Sequence, residues 1–354
     1  MSTNSTKLIG YVGTYTKAES KGIYRFILDI EKERITDVTA VATIGNPTYL
    51  AISKDNKNLY SVVKDGDLGG VSVYTVNENN GDLEFVNTQV SEGASPCHIS
   101  VDHAKQHVVS ANYHKGTIDL YTINSTDESV SAAVSTFQHV GAGPNKDRQE
   151  KPHTHFAGYT PDEKYVVAVD LGIDQLITYK IENNALIEVS SLTLKAGNGP
   201  RHITFHPNGQ FAYIMTELSS EVIALKYNSE DGSFKELQYI STIPNDFTEN
   251  NQGSAIHISN DGQHVYAGNR GHNSIAVFNV NQDTGELKLV EIKSSEGNWP
   301  RDFVLDPTEN YLIASNEMSG NLVLFSRNKT TGELSLIQSN IIVPEAVCVK
   351  FLNA

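Results

Sequence analysis

Arginine, histidine and glutamate recur in this sequence at the ends of short apolar segments, where side chains from different segments can meet. The clearest case is the stretch from Gly199 to Glu217, in which Arg201 and His202 precede one apolar run and Glu217 follows the next. A carboxylate beside guanidinium groups stays ionised and can accept a proton or orient an imidazole. The forked donors of arginine suit a carboxylate or a phosphate. These residue types indicate acid–base chemistry on a small anion.

Arg201 and Glu217 are predicted to come together because the residues between them form a β-hairpin. Two apolar strands, at 203–205 and 211–215, flank the turn sequence Pro-Asn-Gly at 207–209. In an antiparallel pair, the start of the first strand lies beside the end of the second. Arg201 is therefore expected beside Glu217 at one end of the hairpin.

The same pattern recurs along the chain, with copies that begin near residues 47, 96, 152, 200, 253 and 300. Each copy continues into a third strand, such as 221–227 or 274–280, and a fourth strand follows a turn such as Thr-Gly-Glu-Leu at 284–287. Four strands per repeat, at a period of roughly 40–50 residues, are typical of a β-propeller.

The two ends of the chain complement each other as parts of one more blade. The N-terminus offers three strand-like runs, at 8–15, 22–30 and 35–43, whereas the C-terminus offers only the missing first strand, at 344–351. Pairing of the two ends hides sheet edges, and an open β-solenoid would leave this complementarity unexplained. We therefore predict an all-β fold with one domain over residues 1–354. It is a seven-bladed β-propeller with four antiparallel strands per blade, the last blade being closed by the N- and C-terminal strands.

Composition narrows the possible partners. Forty-two acidic residues against 27 basic ones give a net charge of −15, which argues against nucleic acid and anionic membranes as partners. No run of 18 apolar residues is present, and residues 1–6 lack an apolar signal core, so we expect a cytoplasmic protein. Cys97 and Cys348 fall on first strands two blades apart, which predicts free buried thiols. We expect a monomer or a weak homodimer.

Polar residues at the strand ends are predicted to converge on one mouth of the central channel. They occupy the starts of the first strands and two adjacent positions at the ends of the second strands. Any of them could instead cap a loop or bind a neighbouring blade, but the recurrence of the same residue types favours a ligand site. Besides Arg201, Glu217 and Arg270, this set contains the candidate substrate-binding residues His98, Asn112, His155, Asp170, His202, Asn269, Arg301, Asn316 and Glu317.

Several motifs together resemble the seven-bladed lactonase family, which includes bacterial 6-phosphogluconolactonases and fungal carboxy-muconate lactonizing enzymes. They are Gly-Pro-Arg-His-Ile at 199–203, Ala-Gly-Asn-Arg-Gly at 267–271, Ala-Ser-Asn-Glu at 314–317 and Pro-His-Thr-His at 152–155. The resemblance covers essentially the whole chain. The copy at Gly253, which begins Gly-Ser-Ala, departs from the Pro-Arg-His pattern, so that one strand start lacks its cation.

The resemblance implies a catalytic set of His153, Arg201, Glu217 and Arg270. His155 is a rival for the histidine, because an insertion in this copy leaves its register open. Lactone hydrolysis needs a base for water, a cationic site for the oxyanion and an acid for the ring oxygen. No cofactor is expected, and no metal site either, since no compact set of carboxylates accompanies Asp170.

Three functions stay open at this stage. The first is a hydrolase that opens 6-phosphogluconolactone, a small anionic sugar lactone, to 6-phosphogluconate in the oxidative pentose phosphate pathway. The second is a muconate-type lactonizing cycloisomerase with the same site. The third is a non-enzymatic propeller that binds a ligand or a protein, which the single tryptophan makes less attractive because protein-binding faces favour exposed aromatic residues.

Overall fold

Twenty-eight β-strands make up the regular secondary structure of residues 6–353, the part of the chain that the computed structural model describes. Residues 1–5, which carry part of the localisation prediction, and Ala354 lie outside the described residues. In chain order the first fourteen strands are β1 (Lys7–Thr14), β2 (Gly22–Asp29), β3 (Arg34–Thr43), β4 (Leu50–Ile52), β5 (Asn58–Asp65), β6 (Leu68–Val76), β7 (Leu83–Glu92), β8 (His98–Val101), β9 (His107–Asn112), β10 (Thr117–Thr122), β11 (Ser135–Gln138), β12 (Thr154–Tyr159), β13 (Val166–Asp170) and β14 (Gln175–Glu182). The other fourteen are β15 (Ala185–Thr193), β16 (Pro200–Phe205), β17 (Phe211–Thr216), β18 (Glu221–Tyr227), β19 (Phe234–Ser241), β20 (Gln252–Ile258), β21 (His264–Arg270), β22 (Ser274–Val280), β23 (Leu287–Ser294), β24 (Pro300–Leu305), β25 (Tyr311–Asn316), β26 (Asn321–Arg327), β27 (Leu334–Ile342) and β28 (Ala346–Phe351).

These strands form seven four-stranded antiparallel sheets, arranged as the blades of a propeller. Six blades consist of four consecutive strands, and the seventh has the order β28-β1-β2-β3. The first strand of each blade contacts the first strand of the next, from β4 through β8, β12, β16, β20 and β24 to β28, and β28 contacts β4. The ring is closed, so the predicted seven-bladed propeller is confirmed.

The N- and C-terminal strands close the ring as predicted. β28 pairs antiparallel with β1, with Gly10 opposite Phe351 and Val12 opposite Val349. The ring of Phe351 meets that of Phe26 on β2 edge to face, with 5.3 Å between the ring centroids. The C-terminal strand is therefore part of the apolar core of its blade as well as of its hydrogen-bond ladder.

Successive side chains of the middle strands point to opposite faces of each blade, and both sets of side chains pack against neighbouring blades. On β17, Phe211, Tyr213 and Met215 pack against β20, β21 and β22 of the following blade. Ala212 and Ile214, which point to the opposite face, pack against β13 and β14 of the preceding blade. Full burial of one such large side chain stabilises the fold by about 1.5–3 kcal/mol. Both faces of the sheet are consequently apolar, as in a strand buried on two sides.

A repeated hydrogen bond fastens each of three second strands to a turn of the next blade. The hydroxyl groups of Tyr11, Tyr213 and Tyr266 donate to the carbonyl oxygens of Gly81, Gly285 and Gly332, at 2.9 Å, 3.0 Å and 2.9 Å. Gly285 and Gly332 belong to the Thr-Gly-Glu-Leu turns, and their φ angles of 74° and 80° lie in the left-handed region that favours glycine. The turn motif therefore has a role between blades as well as within one.

The two cysteines are free, as predicted. Cys348 is buried on β28, whereas Cys97, just before β8, is only half-buried as a residue. Burial of its thiol nevertheless raises the pKa of Cys97 to about 12, so the thiol is protonated at neutral pH. Among residues 6–353 we find no helical segment with the length and hydrophobicity of a transmembrane helix. Location in the cytoplasm and the oligomeric state stay predictions.

Candidate active site

One mouth of the central channel holds a polar cavity of about 300 Å³. Its walls include Glu217, which directly follows β17, and Arg270, the last residue of β21. His155 and Arg301 line it from the first strands of their blades. An adjoining cavity of about 30 Å³ shares His155 and Arg301 and extends to Arg201 and His202. The fold thus gathers at one site side chains that are widely separated in sequence.

Glu217 is at the centre of this site and is surrounded by guanidinium groups. Across the β16–β17 hairpin, Arg201 Nε lies 3.2 Å from Glu217 Oε2, which is the neighbourhood predicted from the sequence. Arg270 Nη2, from the next blade, donates to the same oxygen at 2.6 Å. Arg148 forms an ion pair with the other oxygen, Oε1. One carboxylate therefore faces three cations.

These cations decide the charge of Glu217. Burial alone would raise the pKa of its carboxyl group, but the positive charges of Arg270 and Arg201, and then of Arg148, lower that pKa well below its usual range. The carboxylate is ionised at any physiological pH. Burial and the like charge of Arg270 lower the pKa of Arg201 in turn.

Several nitrogen atoms around Glu217 have no hydrogen-bond partner among residues 6–353. Arg201 Nε is close to the carboxylate but outside hydrogen-bond geometry, and Arg270 Nε, Arg301 Nε and His155 Nδ1 are buried and unpaired. A buried donor without a partner costs about 1–3 kcal/mol. Such groups in a native protein commonly serve a ligand or a solvent molecule. The unpaired arginine donors suit an anion.

Arg301 adds a fourth guanidinium group to the lining of the cavity. Its Nη1 donates to Glu317 Oε2 at 3.2 Å, and its guanidinium carbon lies 5.3 Å from the centre of the Tyr15 ring. Four guanidinium groups against two carboxylates leave the mouth locally positive, in a protein whose net charge is −15. Local side chains therefore oppose the field of the whole molecule, as anion binding requires.

His155, rather than His153, lies in the cavity with Glu217. The two nitrogens of His153 face Tyr113 O at 2.9 Å and Glu150 Oε2 at 3.1 Å, and its ring stacks on the Tyr113 ring. The structure therefore does not bring His153 to Glu217. His155 follows Thr154 at a register shift in the β12–β13 pair, and such a bulge redirects a side chain.

Burial, followed by the charge of Arg201, lowers the pKa of His155 well below its usual value. The imidazole is therefore neutral. His98 and His202, two other predicted binding residues, lie beside it in the channel. The ring of His202 is 5.1 Å from that of His155 and 5.4 Å from that of His98, and its Nε2 is 3.3 Å from Arg201 Nη1. Burial lowers the pKa of both these histidines as well, so they form a neutral support behind Arg201.

The predicted binding residues Asn112, Asp170, Asn269 and Asn316 are used by the protein itself. Asp170 accepts hydrogen bonds from His139 Nδ1 at 2.6 Å, from Thr154 Oγ1 at 2.9 Å and from the backbone N–H of His153 at 2.8 Å. The three asparagine side chains donate to the carbonyl oxygens of Ala94, Thr242 and Ser295, at 2.7 Å, 2.9 Å and 3.3 Å. None of the four lines the cavity. Successive side chains of a strand point to opposite sides, so only the second of the two adjacent positions faces the mouth.

Arg148 is the residue of the site that the sequence analysis missed. It lies in the connection between β11 and β12, in the repeat with the widest spacing between copies, from 96 to 152. The loop is fixed by the buried Gln149, whose Nε2 donates to Leu171 O at 2.8 Å and whose Oε1 accepts from Asn145 N at 3.2 Å. The extra length was the only signal, because Arg148 belongs to no repeated position.

A second cavity, of about 370 Å³, opens near the turns that join the first and second strands, at the opposite end of the blades. Its lining includes Asp306 and Glu309 together with Lys350. This mixture of charges suits an anion less well than the arginine-rich mouth. No group of three or more His, Cys, Asp or Glu side chains within residues 6–353 could hold a metal ion. A metal-free site stays a prediction.

A comparison with known protein families gives the same fold. The sequence model of the family described as "Lactonase, 7-bladed beta-propeller" matches residues 9–351. The chain belongs to this family of seven-bladed lactonases.

Particular relatives narrow the comparison. The chain is 56% identical to the 6-phosphogluconolactonase of Bacillus subtilis strain 168, over 98% of this chain and 99% of the relative. A crystal structure of a protein from Lactobacillus plantarum is similar at 42% identity with a TM-score of 0.93, covering 98% of this chain and 99% of that one. The periplasmic gluconolactonase PpgL of Pseudomonas aeruginosa has 27% identity and a TM-score of 0.92, again over 98% and 99% of the two chains.

Proposed function

We propose that this protein hydrolyses 6-phosphogluconolactone to 6-phosphogluconate. The observation that carries the proposal is an ionised Glu217 among guanidinium groups whose buried donors are unpaired, in a cavity that could take a small anion. The name of the Bacillus subtilis relative, which is 56% identical over nearly the full length of both chains, supports the choice of lactone.

Glu217 and two arginines supply the chemistry. Glu217 accepts a proton from water while the water oxygen attacks the lactone carbonyl carbon. Arg201 and Arg270 stabilise the negative charge that develops on the carbonyl oxygen, as cationic donors do in other acyl transfers. The tetrahedral intermediate then breaks its bond to the ring oxygen, which takes the proton back from Glu217. The product acid releases its own proton to solvent, so the reaction consumes one water and one lactone.

A carboxylate with a strongly lowered pKa is a weak base, and the substrate makes this acceptable. A δ-lactone is an activated ester that already hydrolyses in water, so moderate assistance is enough. Positioned proton transfer contributes about 10²–10⁴-fold in rate. The neutral His155 orients the water or the ring oxygen by hydrogen bonding and takes the place that the sequence analysis gave to His153.

Arg301 is assigned to the phosphate of the substrate. It lines both adjoining cavities, its Nε is unpaired, and a single carboxylate, Glu317, forms an ion pair with it. Removal of a charged hydrogen-bond partner costs about 1.5–3 kcal/mol, or about 10–150-fold in affinity. By binding the phosphate, Arg301 would lower KM and would take no direct part in the chemical step.

The proposal is tested by assaying purified protein with freshly generated 6-phosphogluconolactone, glucono-δ-lactone and carboxy-muconate, each corrected for the spontaneous reaction. We expect efficient opening of the phosphorylated lactone, weaker opening of glucono-δ-lactone and no ring closure of the muconate. Arg301→Ala should raise KM for the phosphorylated lactone at least about tenfold and leave the other lactone nearly unchanged. Arg34→Ala, at an exposed position on β3, is the matched control. Turnover of the phosphorylated lactone no faster than the spontaneous rate would overturn the proposal.

A further inference from the structure

The two oxygens of the Glu217 carboxylate have different partners. Oε2 is held by Arg270 at 2.6 Å and by Arg201 at 3.2 Å, both from rigid strands. Oε1 accepts a hydrogen bond from Arg148, and no other residue in 6–353 donates a hydrogen bond to it. Oε1 therefore has fewer partners than Oε2 and is the oxygen that can accept a proton more easily. Arg148 covers this oxygen.

Arg148 also differs from the other arginines in its freedom to move. Its side chain is 30% exposed, compared with 3% for Arg201 and 4% for Arg270. The backbone of its loop is held by the buried Gln149, so an exchange of partner needs a change of side-chain torsions only. Arg148 lines the same cavity as Arg301 and His155, so a ligand in the cavity is within its reach.

We infer that Arg148 is a specificity-determining residue that couples phosphate recognition to the proton-accepting oxygen of Glu217. This inference rests on the proposed function. The phosphate group of the bound lactone draws Arg148 away from Oε1, and Oε1 then becomes available to the attacking water. A phosphate dianion carries more charge than a carboxylate and accepts the same forked donors, so the exchange is favourable.

The coupling gives the site a preference that binding alone would not produce. With a lactone that lacks a phosphate, Arg148 stays on Oε1 and the base stays covered. With a phosphorylated lactone, Oε2 keeps Arg201 and Arg270 while Oε1 loses the guanidinium group that donates its hydrogen bond. The substrate thus increases the basicity of Glu217 when it binds, because one of the charges that lower the pKa of this carboxyl group has moved away.

Free inorganic phosphate provides the decisive experiment, because it can occupy the place of the substrate phosphate while glucono-δ-lactone occupies the rest. We expect millimolar phosphate to accelerate hydrolysis of glucono-δ-lactone by the wild-type protein about tenfold. Arg148→Gln should hydrolyse this lactone several-fold faster than the wild type without phosphate and should not respond to phosphate. Lys146→Gln, exposed on the same loop, should behave as the wild type. Inhibition by phosphate, no response of the wild type, or equal activation of Arg148→Gln would overturn the inference.

The pH profile distinguishes this role from a merely structural one. Hydrolysis requires ionised Glu217, so kcat/KM falls as the pH drops through the pKa of this group. Loss of a neighbouring cation raises that pKa, so the acid limb should lie at higher pH in Arg148→Gln than in the wild type. Arg148→Lys, which keeps the charge, should restore the wild-type limb. An acid limb at the same pH in Arg148→Gln and wild type would contradict the coupling.

The inference and the proposed function can fail separately. If the wild-type protein opens neither lactone, the proposed function fails. The binding of phosphate by Arg148 is then tested by calorimetric titration of the folded proteins with inorganic phosphate. We expect Arg148→Gln to bind phosphate at least about tenfold more weakly than Lys146→Gln, and equal affinities would overturn the assignment of Arg148 to phosphate.

Discussion

Two buried carboxylates show how neighbours assign different roles to the same chemical group. Glu217 meets three guanidinium groups and faces a cavity, so its charge is available to a ligand. Asp170 is enclosed by His139, Thr154 and backbone N–H groups, and its side chain has no exposed surface. The first arrangement suits chemistry, and the second holds the start of β12 against the end of β13.

Asp170→Ala should therefore lower stability and leave the reaction intact. The substitution leaves the buried partners of the carboxylate unpaired, at a cost of roughly 2–5 kcal/mol. Thermal unfolding should show a clear drop in Tm, while kcat and KM of the folded fraction stay close to wild type. Asp147→Ala, at an exposed position, is the control. An unchanged Tm together with a raised KM would restore Asp170 to substrate binding.

The part of the site that the repeated sequence pattern encodes was predictable from the sequence. The hairpin predicted Arg201 beside Glu217, and the shared position at the end of the second strands added Arg270. The sequence could not separate His153 from His155, because a bulge in β12 decides which ring enters the cavity. Arg148 was out of reach, since the path of an irregular loop depends on tertiary hydrogen bonds such as those of Gln149.

At the scale of strands and turns, the repeat made most boundaries predictable. The predicted strands 221–227 and 274–280 coincide with β18 and β22, which are flanked by clear turn sequences. Some first strands were harder to delimit, because β4 has only three residues and a short apolar run carries little periodicity. The hydrogen bond from Tyr213 to Gly285 was not predicted, since it joins residues of two different blades.

Gly285→Ala tests the importance of this turn between blades. Both Gly285 and Gly209 have left-handed φ angles, of 74° and 69°. A Cβ atom on Gly285 would collide with the ring of Phe211, whereas one on Gly209 would meet no atom within 4 Å. We expect Gly209→Ala to cost about 1 kcal/mol and Gly285→Ala about 2–4 kcal/mol in the free energy of unfolding. Equal losses in chemical denaturation would show that the packing between blades at this turn contributes little.

At the scale of the whole molecule, closure of the ring depends on the last strand. β28 supplies the ladder partner of β1 and contacts the first strands of its neighbours, β24 and β4. Deletion of the last ten residues, 345–354, removes this strand, exposes the β1 edge of the closing blade and uncovers the first strands of the two neighbouring blades. The truncated protein should aggregate or lose its cooperative thermal transition. A truncated protein that unfolds at the wild-type temperature would contradict closure by this strand.

The global charge gives the arginine-rich mouth its significance. A protein with a net charge of −15 repels anions at a distance, so attraction must come from Arg148, Arg201, Arg270 and Arg301 within the cavity. The ring brings these residues together from three blades and from the loop between β11 and β12. The propeller thus serves as a rigid frame for a charge distribution that no single blade could provide.

The central claim is that ionised Glu217 accepts a proton in the hydrolysis of a phosphorylated lactone. Its most direct test is kcat of Glu217→Gln with freshly generated 6-phosphogluconolactone, measured on protein shown by its thermal transition to be folded. Glutamine keeps the shape and the hydrogen-bonding capacity but removes the charge. The account predicts a loss of about 10²-fold or more in kcat, with Glu296→Gln, at an exposed position, unaffected. A lowered Tm with nearly normal turnover by Glu217→Gln would contradict it and would leave Glu217 as a structural tie between strands.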